Sequence, residues 1–175
     1  CVCIFMISNV LIFMESVRQY NVVLADYRQI NDLSLINNSR KISFKLYLKS
    51  HEDVMLQQYY GQCSMLNERL DNLNDKMQRD KNCRMMYRIV CQVVEHRQEA
   101  AEVYIRPSLT YNPGILDYLD EADLEIERNL NLLMSHYLAY LNTEFEAYKQ
   151  KLQMSSIMIN IVLMTLCLLS LLMNR

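Results

Sequence analysis

Apolar residues along this chain recur every three or four positions through most of its length, then run together without a charge near the C-terminal end. In residues 15–34 the recurrence is Val17, Tyr20, Leu24, Tyr27 and Ile30/Leu33, a spacing that places them on one face of a helix. Asn37, Asn38 and Ser39 follow, and because Asn and Ser favour turns they predict an interruption. Residues 42–48 alternate apolar and polar as a strand would, but they also open a longer series, Phe44, Leu48, His51, Met55 and Tyr59, which continues through Leu66, Leu70, Leu73 and Met77. With no partner strand in sight, the prediction is helix. Gly61 lies inside this helix as a candidate kink, since a mid-helix Gly costs about 1 kcal/mol relative to Ala.

Met86, Val90, Val93/Val94, Ala101 and Ile105 define another helical face over 81–105, which ends at Arg106-Pro107. The segment 106–114 holds both prolines and one of the two glycines, and reads as the clearest loop. The longest helical pattern follows. Its first turns are acidic (Asp117, Asp120, Glu121, Asp123, Glu125, Glu127), as the dipole at a helix N-terminus favours. Its apolar stripe is Leu119, Ala122, Ile126, Leu130, Leu133, Tyr137, Leu141, Phe145, Tyr148 and Leu152. Many of its members repeat at eleven residues, such as Ile126/Tyr137, Leu130/Leu141 and Tyr137/Tyr148, the period of a nearly straight helix. Ile126, Leu130, Leu133, Tyr137, Leu141, Phe145 and Tyr148 are the stripe on which a partner helix is expected to dock.

Nothing breaks the pattern between 115 and 173, and from Met154 to Met173 the chain has no charge, Pro or Gly. Twenty helical residues rise roughly 30 Å, the thickness of a bilayer's hydrocarbon core. This predicts a transmembrane anchor over 154–173, followed by a short tail at 174–175. Within it Ser156, Asn160, Leu163, Cys167 and Ser170 share one face. Small and hydroxyl residues let helices approach in lipid, and an Asn hydrogen-bonds across such an interface, so the span is expected to self-associate or to meet another span. Lys149 and Lys151 precede it and Arg175 follows, a balance that places the N-terminal domain in the cytosol. Only Asn174 and Arg175 would then have to translocate.

At the other end, residues 1–14 are also apolar, and Cys1 is not an initiator Met. A signal-peptide core, a remnant of a span, or sequence upstream of a true start at Met6 or Met14 are the three readings. No positive region precedes the run, which counts against a signal peptide, and an incomplete or misassigned N-terminus is favoured.

Composition narrows the functional classes. Two Gly in 175 residues leave no phosphate-binding loop, dinucleotide-binding turn or nucleophile elbow, all of which need Gly where the backbone bends sharply or meets a ligand. A net charge of −2 argues against nucleic-acid binding. His51, His96 and His136 stand apart and no Glu precedes one by three, so no metal is expected. His96 beside Glu95 and Glu99 reads as surface pairing, and Asp120, Glu121 and Asp123 as a solvated helix start. The basic cluster Lys76, Arg79, Lys81, Arg84 and Arg88 is diluted by Asp75 and Asp80 and reads as an ordinary charged junction. No CxxC pair occurs among the six cysteines, a pattern that suits free thiols in a reducing compartment.

The expected architecture is all-α: an elongated antiparallel helical bundle or coiled coil of three to four long helices over 15–153, with the C-terminal transmembrane helix. The expected function is non-enzymatic, without cofactor, nucleic-acid or small-molecule substrate: a tail-anchored adaptor, tether or scaffold whose partners are membrane lipid and other helical proteins or itself. The alternative is a soluble coiled-coil subunit of a cytoskeletal or spindle-type assembly, with misassigned apolar ends.

Overall fold

The computed structural model describes residues 2–105 and 114–173. The described residues are all-α, four helices with no strand: α1 (Val2–Ser50), α2 (Asp53–Met77), α3 (Lys81–Ile105) and α4 (Gly114–Met173). The predicted loop at 106–114 lies outside the described residues except for Gly114, which opens α4.

Two expected helix boundaries are corrected. The turn expected at Asn37–Ser39 is absent, and α1 runs through it. Asn37 is buried, and its Oδ1 accepts a hydrogen bond from Arg40 Nη2 at 2.6 Å. Its side chain is thus engaged one turn along the helix instead of competing for its own backbone, the contest by which Asn ends helices. The helix expected to continue from Phe44 to Met77 is instead divided at His51, which takes a left-handed backbone with φ 53. The His51 amide still closes the last turn of α1 on Tyr47 O at 2.7 Å. Glu52 is then extended (φ −82, ψ 129) and its carbonyl receives the first amide bond of α2.

Gly61 does not break α2, and a Cβ built there would meet nothing within 4 Å. Gly61→Ala is therefore expected to stabilise the protein by about 0.5–1 kcal/mol, because Ala loses less backbone entropy in a helix. Chemical denaturation checks it.

The start of α3 is set by Asp80, whose Oδ1 accepts from the amides of Asn82 and Cys83, both at 2.9 Å. These bonds, led by the one from Cys83, hold the Asp80 carboxyl below its usual pKa. Asp80→Ala is expected to cost about 1 kcal/mol in the same measurement.

The chain forms two compact units, Asp26–Leu138 and a second made of Cys1–Ala25 with Ala139–Arg175. In the first, the apolar faces of the helices close a core that includes Leu33, Leu66, Leu73, Met77, Val90, Ile126, Leu130 and Leu133, each nearly free of solvent. In the second, Ser16, Gln19, Tyr20 and Val23 of α1 line a groove with Leu141, Asn142, Glu144 and Phe145 of α4.

Candidate functional site

Two features stand out, one in each unit. In the Asp26–Leu138 unit, every helix sends a polar side chain to one buried point. Arg40 comes from α1, Tyr59 from α2, Arg97 from α3 and Asp123 from α4, and all are at most 2% exposed. Asp123 Oδ1 accepts from Arg40 Nη2 at 2.8 Å and from Arg97 Nε at 3.0 Å, while its Oδ2 accepts from Arg97 Nη2 at 3.2 Å. Arg97 Nη1 donates to Tyr59 Oη at 3.0 Å. The Arg97 guanidinium also lies over the Phe44 ring, 4.9 Å from its centroid, and 5.6 Å from that of Tyr59. Such cation–π contacts gain when they are desolvated.

One carboxylate thus faces two guanidiniums. Among the described residues, Arg40 Nε and Nη1 are buried with no hydrogen-bond partner. Burial first, then the like charge of Arg97, lower the Arg40 pKa from its ordinary value, and Asp123 opposes the shift. Burial likewise pushes the Tyr59 phenol up. That keeps its proton on, so Tyr59 meets Arg97 as a neutral acceptor.

A second polar cluster in the same unit centres on Asp26. Its Oδ2 accepts from Tyr137 Oη at 2.7 Å, and its Oδ1 accepts from Lys76 Nζ, which also donates to Gln29 Oε1 at 3.0 Å. A hydrogen bond to a buried charge is worth about 1.5–3 kcal/mol, so Tyr137→Phe is expected to destabilise the fold by that amount in a denaturant titration.

The sequence reading of the acidic start of α4 needs one correction. Asp120 is solvated and pairs with Lys45 at 2.8 Å, but Asp123 is buried between the two arginines. The sequence reading assigned no role to Asp26, Arg40 or Arg97, and placed Tyr59 only on the face of a helix. Lys76 of the basic cluster is committed to Asp26, whereas Arg84 and Arg88 border an open surface groove with Met85 and Ile89. His96 is exposed beside Glu99, at 3.5 Å. Cys63, Cys83 and Cys91 carry free thiols, and burial, reinforced by Asp80, pushes the Cys83 thiol up to about 12. Asn37, the acceptor of the sequon Asn37-Asn38-Ser39, is buried.

The docking stripe of α4 divides between the units. Ile126, Leu130, Leu133 and Tyr137 are buried within the first, against helices of their own chain. Leu141 and Phe145 are half-buried and Tyr148 is exposed in the second.

The second feature is the end of α4. It is long and apolar enough to cross a membrane, and no residue of its most apolar window is buried. Ile157, Met158, Ile159, Ile161 and Val162 are all about half exposed or more, between 46% and 61%. Of the small, polar stripe, Ser156, Asn160 and Leu163 are half-buried, while Cys167 and Ser170 are exposed.

No protein-family model matches this chain, no curated protein is significantly similar to it, and no solved structure matches its fold.

Proposed function

We propose that the chain is a non-enzymatic membrane adaptor or tether, in which α4 anchors a helical bundle to a bilayer through residues 154–173. The observation that carries this reading is the exposure of that segment. A contiguous apolar surface of this length is a liability in water and finds its natural solvent in acyl chains. Lys149 and Lys151 border the segment and favour a cytosolic bundle.

The adaptor role has its own support. Leu35, Ile42 and Leu46 are 58%, 57% and 45% exposed on α1. Their spacing of seven and four returns them to nearly the same helical face, an apolar seam for a partner helix. The buried polar clusters of the bundle are read as structural, since their side chains bond to one another, although Arg97 and Asp123 also border a cavity of about 190 Å³ shared with Lys41, Lys45 and Lys49.

Alkaline carbonate extraction of the full chain and of a chain stopped at Gln153 tests the anchor. The full chain is expected in the membrane pellet and the shortened one in the supernatant. Both in the supernatant would reject the anchor and favour a soluble coiled-coil subunit.

A further inference from the structure

The half-buried residues of α4 form a longer series than the polar stripe. Leu141, Phe145, Lys149, Leu152, Ser156, Asn160 and Leu163 are each intermediate in exposure. Their steps of four, four, three, four, four and three trace a straight seam on the eleven-residue period. The seam then stops, and every residue from Met164 to Met173 is exposed.

The element alongside it is the start of α1. Residues 16–23 of α1 share a groove with residues 141–145 of α4, and their unit contains 1–25 and 139–175. The turns of α1 that precede Ser16 therefore run beside the turns of α4 that follow Phe145. Both helices rise about 1.5 Å per residue, so α1 positions 2–14 lie level with α4 positions of roughly 149–161. The half-buried seam of α4 ends at Leu163, close to the level that this register gives for the start of α1, and the residues beyond it are exposed.

The polar borders of the two helices coincide as well. Residues 2–14 carry no charge, and the first charged residue of α1, Glu15, pairs with Arg18 at 2.8 Å. By the same register Glu15 stands level with the last charged turn of α4, where Lys149 pairs with Glu146 at 3.4 Å. On the membrane side of that level, Ile7, Val10, Leu11, Phe13 and Met14 of α1 are 56–67% exposed, and they continue the exposed apolar surface of α4.

We infer that the first turns of α1 enter the bilayer with α4, so that phospholipid acyl chains surround a two-helix insert whose internal contact is the Leu152–Leu163 seam. This rests on the reading of 154–173 as a span. It replaces a second copy or a foreign span with the chain's own N-terminal helix as the partner of Ser156, Asn160 and Leu163.

The chain contains no Trp, so single tryptophans report depth without background. Val10→Trp, Phe13→Trp and Leu168→Trp in the full chain are reconstituted in phosphatidylcholine vesicles with brominated or ordinary acyl chains. Loss of most emission from all three in brominated lipid is the expected result. Quenching of Leu168→Trp alone would overturn the inference and leave the anchor standing. No quenching of Leu168→Trp would reject the anchor, and the insert with it. A photo-crosslinking residue scanned through positions 2–14 tests the pairing. Cross-links within one chain to residues 149–163 support it, and products at twice the chain mass in their place overturn it.

Discussion

Asp123→Asn is expected to cost about 3–5 kcal/mol of folding stability, the penalty for leaving buried charge without its counter-ion. A domain of this size has only about 5–15 kcal/mol to lose, so the variant should sit near or below the threshold of folding. The substitution keeps the shape of the side chain and removes its charge, which leaves the guanidiniums of Arg40 and Arg97 facing each other in the interior. Arg40→Met is expected to cost less than half as much. It removes the guanidinium with two unpartnered nitrogens and leaves Asp123 and Arg97 as a one-to-one pair joined by two hydrogen bonds. Denaturant unfolding of the two variants, followed by circular dichroism, measures the asymmetry. Equal losses would show that the excess positive charge is neutralised by a group not yet identified.

The second large effect concerns the anchor. Met164→Arg is expected to move the full chain from the membrane pellet toward the supernatant in the carbonate extraction. Ten Leu, Ile and Val residues lie in 154–173. At about −0.3 to −0.6 kcal/mol each near the centre of a span, they contribute together about −3 to −6 kcal/mol to insertion. One central Arg opposes this with about 2.5–3.5 kcal/mol, and the Asn, Ser and Thr residues already weaken the balance. Met164 is 65% exposed, so no neighbouring side chain shelters a guanidinium there. Met164→Leu, apolar at the same position, should leave the pellet fraction unchanged.

How legible the chain was depended on what each signal measures. Apolar spacing found α3 and the unbroken α4, because spacing reports which face is buried. It missed the division at His51, because the series Leu48, His51 and Met55 keeps helical spacing across the break. The break lies in the backbone of one residue and leaves no mark on the pattern. Asn37 misled for the converse reason: a turn-forming type gains a partner in Arg40 one turn away, and the helix continues. The charged cluster was missed because charge was read as surface. Its register held the missing signal. Asp26, Ile30, Leu33, Asn37, Arg40 and Phe44 form one buried series, as do Val90, Val94, Arg97 and Ala101, and Leu119, Asp123, Ile126 and Leu130. A charged residue in step with an apolar stripe marks a buried ion pair to be sought on another helix.

The meeting of Arg40, Arg97 and Asp123 also limits how the chain can be misassembled. Apolar stripes of Leu, Met and Tyr are interchangeable enough that two helices could slide past each other by two turns and still bury most of their surface. A slide of seven residues would carry Asp123 about 10 Å along the axis of α4 and strand three ions in the interior. Grease alone would tolerate several alignments; these charges admit one. They are expected to act as a combination lock on the bundle, trading the cost of their burial for a single register.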